Sequence, residues 1–345
     1  MQLAFIAVSH AQTIRYVKAT AAGNGDGSSW ANASDDIQAM INASVANDQV
    51  WVAGGTYLPN RKANALTVIT PNNRDNAFVL KADVKIYGGF AGTETALSQR
   101  DLTLTANESI LSGDLGIAVD NSDNAYHVII SAGAVGTAEL NGFTIKGGNA
   151  NVFPGTVTVN SNTVYRNSGG GIYNFNSSPK ISNVSLNGNS ANNKGGGICN
   201  FNSSALIITN VTFSGNSANN DGGGIFNDFS SPFITNVTLN GNSANNGGGI
   251  YNVSSSPVIT NVTLSGNSAD GGGIYNFDSS PVIRNSIIYG NSSGIFNDYS
   301  TPVISYSMVQ GSTDTSNGNI SETDPLFVDA PLFGTAPFIG GDYRL

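Results

Sequence analysis

Acid, base or nucleophile chemistry in this chain would have to run through very few side chains. The histidines are His10 and His127, and the sole cysteine is Cys199. The carboxylates of the repeated region, Asp221, Asp228, Asp270, Asp278 and Asp298, stand isolated from one another in sequence. Cleaving a glycosidic bond takes two carboxyl groups roughly 5 to 10 Å apart. Neighbouring parallel strands, about 4.8 Å apart, would permit such a pair. Asp228 and Asp298 occupy corresponding places after an Ile-Phe-Asn, yet Val253 and Phe277 stand at that place in between, so no pair recurs. His127 lies in "NAYHVI", an alternating strand setting that favours a structural or surface role. No H-E-x-x-H or G-x-S-x-G pattern occurs. We assign no catalytic residue.

Cation chemistry is equally thin. A lone cysteine excludes an internal disulfide and thiolate metal sites. A structural calcium is the one cofactor with any signal: Asn24, Asp26 and Ser28 alternate in "GNGDGSS", and "DNSDN" carries Asp120 and Asp123. Both stretches read equally as turns. The net charge of -9, with no lysine or arginine cluster, excludes nonspecific nucleic-acid binding.

The elements that would hold these groups come from a repeat. "GGGIYNFNSSPKISNVSLNGNSANNK" is followed by four further units opening GGGI and by a reduced one opening "GIFND". Ile172, Ile198, Ile225, Ile250, Ile274 and Ile295 are spaced by 26, 27, 25, 24 and 21 residues. Asn183, Asn210, Asn236, Asn261 and Asn285 follow at nearly fixed distance, so the variable loop lies after "GNS". Val262, Thr263 and Leu264 alternate as a short strand does, and no unit has room for a helix. A coil of this size built from short strands and tight turns is one rung of a right-handed parallel β-helix, all-β, with three short strands per rung. Two Asn ladders, one through Asn174, Asn200, Asn227, Asn252, Asn276 and Asn297, the other through Asn189, Asn216, Asn242, Asn267 and Asn291, read as corner clamps.

If the anchor isoleucines face inward, alternation turns Tyr173, Phe226, Tyr251, Tyr275 and Phe296 outward, with Cys199 interrupting the row. Stacked outward aromatics would bind extracellular glycans or surface proteins; a covering loop is the competing expectation. Thr212, Thr238 and Thr263 form a further row, for which strand propensity is explanation enough.

Residues 1–12 read as a secretory signal whose charged beginning is missing, and no later run is apolar and long enough to span a membrane. Residues 13–48 form an N-terminal cap in which Ser34 starts a helix with Ile37, Met40 and Ile41 on its apolar face. Irregular rungs are expected over 49–168, with an eroded repeat around 151–168, and regular rungs over 169–311. Loops follow over 312–345, an end that looks unfinished. Oligomeric state is not legible.

"GGGIYN" paired with "FSGN" at 213–216, and with "LNGN" or "LSGN" elsewhere, resembles the polymorphic outer membrane protein repeat of chlamydiae. "GDGSSWANA", "VWVAGGTY", "IYGGFAGTET" and "DPLFVDA" look like the environmental-bacterial branch of such proteins. The resemblance implies a pectin-lyase-like β-helix, export, and adhesion or binding at the cell surface. It also keeps open polysaccharide lyase or hydrolase activity, although the catalytic clusters of those enzymes do not map onto these rungs.

Overall fold

A computed structural model describes residues 11–203 and 205–345. The secretory-signal reading of residues 1–12 falls almost wholly outside them, as does His10.

Parallel strands stack rung upon rung into a β-helix. One sheet starts at Ile14–Val17 and runs through Gln49–Ala53, Lys85–Phe90, Glu139–Lys146, Lys180–Asn187, Ile207–Ser214, Phe233–Asn240, Val258–Ser265 and Val282–Arg284 to Val303–Ser305. A second, eight-stranded sheet runs from Phe78–Val79 through Ile129–Ala132 and the six anchor strands, ending at Ile295–Asp298. The third face is narrow, Asn149–Ala150, Ser190–Ala191 and Ser217–Ala218, and single bridges through Ser243 and Ser268 continue it. Register is strict: Ile172 lies on Ile198, Ile198 on Ile225, Ile225 on Ile250 and Ile250 on Ile274.

Glycine and asparagine close each rung by taking left-handed backbone at the corners. In the rung that begins at Gly247 these are Gly247, Ser254, Asn261 and Gly266, with φ of 60°, 46°, 55° and 69°. The Asn183 to Asn285 series is therefore the true corner, and it splits each long strand in two. Its members also form an amide ladder, Asn261 Nδ2 donating to Asn236 Oδ1 at 3.1 Å. The Asn174 series is not at a corner, as expected from the sequence, but in mid-strand. The anchor isoleucine and this asparagine both point inward from a strand only four residues long, so the amide is buried and must pair within its own column. Asn227 donates to Asn252 at 2.9 Å, and Asn252 to Asn276 at 2.9 Å. The Asn189 series is buried too; Asn216, for one, donates from Nδ2 to Asn242 Oδ1 in the next rung and to Leu186 O in the rung before.

The interior is apolar around these amides. Ile250, Ile259, Val262 and Leu264 supply one rung of it, and equivalents above and below are buried alike. Burying each such side chain fully is worth roughly 1.5 to 3 kcal/mol. At the N-terminal end helix Ile37–Ala43 lays Ile37, Met40 and Ile41 on this core. Asp36 caps it, accepting from Ala39 N at 2.8 Å, where Ser34 had been expected; Ser34 instead accepts from Asp36 N.

Residues 151–168 are not an eroded rung. Thr156–Val159 and Asn162–Tyr165 pair as an antiparallel hairpin around Asn160 and Ser161, both left-handed. Arg166 fixes its base to Asp75 through bonds of 2.6 and 2.8 Å. Residues 316–320 cover the final rung on one side, Ile320 N donating to Ser307 O and Asn319 Nδ2 to Ile304 O. Beyond them Phe338 runs back onto the Gly241 corner. Ile339–Arg344 then lie beside Ser185, Thr212, Thr238 and Thr263, so the threonine row is partly roofed. Among the described residues no helix is long and apolar enough to cross a membrane.

Candidate functional site: the aromatic flank

Strand alternation fixes what the eight-stranded sheet shows to the outside. Tyr173, Cys199, Phe226, Tyr251, Tyr275 and Phe296 stack in one column, and Phe175, Phe201, Asp228, Val253, Phe277 and Asp298 stack in the next. The row does point away from the interior. Exposure along it is another matter: Tyr173, Cys199 and Phe226 are 0% exposed, Tyr251 and Tyr275 are half-buried, and Phe296 is 47% exposed.

The cause is an outer core. Ala63 and Ala77 from the N-terminal loops, Val79 from the first strand of the sheet, and Val157, Val159 and Val164 from the hairpin cluster with Tyr173, Cys199 and Phe226. Tyr173 and Phe226 are thereby removed as contact residues: the hairpin lies against Tyr173, and Phe201, Tyr251 and Lys194 lie against Phe226. What remains open is Tyr251, Tyr275 and Phe296.

Their rings stack on one another instead of facing solvent. Phe226 and Tyr251 lie 5.5 Å apart at 15°, Tyr251 and Tyr275 4.9 Å at 16°, and Tyr275 and Phe296 4.8 Å at 32°. Edges and hydroxyls face outward, and the ring faces are available only where the stack ends. At Phe226 the small Cys199 leaves one face without a stacked ring: Phe201 approaches only at a tilt, 5.7 Å and 58°, and the Lys194 ammonium lies over the ring, 4.4 Å from the centroid. At Phe296 the far face has no neighbouring rung.

The open part is acidic. Asp221 and Asn246 stand on one side of the stack, hydrogen-bonded at 3.0 Å, and Asp228 and Asp298 on the other. Burial, then the charges of Asp221, Asp298 and Asp228, push the Tyr251 hydroxyl up to about 12. Burial also raises the Asp228 carboxyl, against the pull of Lys194. After Lys194 the chain has only two basic residues, Arg284 on the other sheet and Arg344 in the C-terminal segment.

The other singled-out groups have structural partners. His127 is buried, its Nδ1 2.9 Å from Gly169 O, so the proton resides there and Nε2 is left without a donor, beside Tyr173. Burial lowers its pKa to about 4. Asn24, Asp26 and Ser28 close a local turn, Asp26 accepting from Ser28 N at 2.8 Å. Asp120 accepts from Ser122 N and Asp123 from Ile117 N. Among the described residues no three His, Cys, Asp or Glu side chains gather where a metal could sit.

One cluster escaped the sequence reading. Glu139 lies in register between Lys85 and Lys180 on the first sheet's outer face, with Lys180 Nζ 3.1 Å away. Asn141 and Ser182 donate to Glu139, and Arg100 donates to Gly88 O and Asn141 Oδ1. Burial works to raise the Glu139 carboxyl, but the donors Asn141, Lys180 and Ser182 together hold it below its ordinary value. Arg100 lies 41 residues before Asn141, and Ser182 lies 43 after Glu139, in rungs where no repeat phase announces that they align.

Among known families, residues 210–228 match the Chlamydia polymorphic membrane protein repeat. No curated protein matches the chain. Among solved structures, a crystal structure of pectate lyase Pel9A is similar over 97% of this chain and 90% of that one, with a TM-score of 0.53 at 10% identity. At that identity the likeness is one of fold. The chain is thus a parallel β-helix of pectate-lyase-like architecture that carries a repeat of the Chlamydia polymorphic membrane protein type at residues 210–228.

Proposed function

We propose that this protein is an exported, surface-exposed recognition scaffold, without catalytic turnover, that contacts extracellular glycans or proteins through Tyr251, Tyr275 and Phe296. One observation carries the reading: along a single column of outward side chains the first half is buried by the protein's own side chains, while the second half stays open and acidic. The repeat match at 210–228 supports export and surface display.

Replacing Tyr275 and Phe296 by Ala together tests it. These rings lie outside the main core, so the melting transition is expected to shift little while retention of cells or immobilised glycans falls. Full retention by the double variant would rule out this strip.

A second reading, cleavage of an acidic polysaccharide, rests on the Lys85, Glu139, Lys180 column beside Arg100. It predicts new reducing ends or unsaturated products from such polymers, lost in Lys180→Ala. A recognition scaffold retains the polymer without shortening it.

A further inference from the structure

The tetrapeptide Ile-Phe-Asn-Asp occurs twice at equivalent places, 225–228 and 295–298. In the first copy an ammonium is already bound: Lys194 lies 4.4 Å from the Phe226 centroid, on the face that Cys199 leaves open, and within electrostatic reach of Asp228. In the second copy Phe296 ends the same stack and is 47% exposed, with Asp298 beside it on the same outward face of the strand. No lysine or arginine of the described chain reaches it.

The backbone around this second copy is open as well. The edge of Val303–Ser305 is covered by residues 316–320, whereas Ile295–Asp298 is the outermost strand of its sheet and, among the described residues, pairs with Ile274–Phe277 and through a single bridge with Gly272, both of the preceding unit. Asn297 accepts from Asn276 at 2.8 Å, and no further asparagine follows to accept from its own amide. A row of unpaired peptide groups invites one more strand.

The geometry points to a docking site for an extended, lysine- or arginine-bearing segment of another protein, which pairs with the edge of Ile295–Asp298 and sets its cation on Phe296 against Asp298. This rests on the surface-recognition reading and names its partner chemistry. Charge complementarity selects the occupant: a ring face attracts a cation, and Asp298, Asp228 and Asp221 surround the stack with no basic group to neutralise this end. A neutral sugar would use the ring face and could donate hydroxyls to the carboxylate, but it would leave the negative charge unneutralised and the strand edge unpaired.

The test uses the full chain and a fluorescent peptide of alternating Thr and Val with one central Lys, titrated by anisotropy at low salt. The same peptide carrying acetyl-lysine should bind roughly tenfold more weakly, since it loses both the cation–π contact and the ion pair. Phe296→Leu and Asp298→Asn should each weaken the lysine peptide by about threefold or more, while Asp120→Asn, a carboxylate elsewhere, changes nothing. Backbone N-methylation of the peptide should abolish binding. Equal binding of both peptides, or unchanged affinity in both variants, overturns the inference. If the peptide fails while Tyr275→Ala still weakens retention of cells or glycans, the cationic partner falls and the recognition strip stands. If the peptide binds as expected but the Tyr275 and Phe296 double variant retains cells and glycans fully, the broader strip falls and this site stands.

Discussion

His127 shows how a residue type that invites a catalytic reading becomes structural. Its Nδ1 proton is given to Gly169 O, and Nε2 lies against Tyr173 with nothing to receive a second proton's charge. Native pKa is about 4 against an ordinary 6.5, so the unfolded chain binds more protons between these values. The stability held above pH 6.5 is therefore lost as pH falls through that window, by about 3 kcal/mol in total. Urea unfolding at pH 7 and pH 4.5 should show the loss, and His127→Gln should flatten it; an equal pH dependence in the variant would contradict the buried neutral imidazole. At the same scale, Phe229 holds a left-handed corner, φ 46°, while 68% exposed, at the place where Asn176 and Asn202 stand in earlier rungs. Phe229→Asn should raise stability by about 0.5 to 1 kcal/mol, read as a higher urea midpoint, because asparagine tolerates that backbone and can extend the Asn176 and Asn202 ladder. Corner residues of this kind are invisible to a search for chemistry, and the sequence alone names the corner only where Asn or Gly occupies it.

Elements are where sequence and structure agree best. Repeat spacing announces the rungs because the same residue must stack on itself, and the glycine triplet has a reason at each place. Gly247 takes φ 60°; a Cβ on Gly248 would lie 2.7 Å from Ser268 O and one on Gly249 2.7 Å from Leu264 Cδ2. Gly248→Val must push two rungs apart, so we expect a loss of several kcal/mol, on the order of an overpacked core. A melting transition equal to that of the parent protein would refute this account of the triplet. The hairpin at 156–165 was legible in "TVTVNSNTVY", two alternating runs about a short polar turn, but repeat phase drew the stretch toward a rung. Exposure of the aromatic row was not legible at all. It depends on the hairpin at Tyr173 and on Lys194 and Phe201 at Phe226, contacts that sequence separation hides and only the closed fold brings about. Glu139 and Lys180 escaped for the same reason, since the irregular rungs share no period.

At the scale of the molecule, stability is distributed along the stack. Each inner rung is bonded on both sides, whereas the rung from Ile295 to Val309 has one full neighbour. Amide hydrogen exchange should therefore be slowest in strands such as Ile225–Asp228 and Ile250–Val253, and faster in Ile295–Asp298; uniform protection along the stack would indicate that the whole solenoid opens only as one unit. The two ends differ in kind. A helix and buried aliphatic side chains close the first, while one sheet of the last rung is sealed and the other is left with its edge free.

The four left-handed corners have a further consequence, for how such a gene changes. Because each rung closes on itself, excising residues 222–246 would set Gly247 where Gly222 stands and lay Ile250 on Ile198, with every corner retained. The distance between the sealed end and the open edge can thus lengthen or shorten in steps of about 4.8 Å, one copy at a time, without redesign of either terminus.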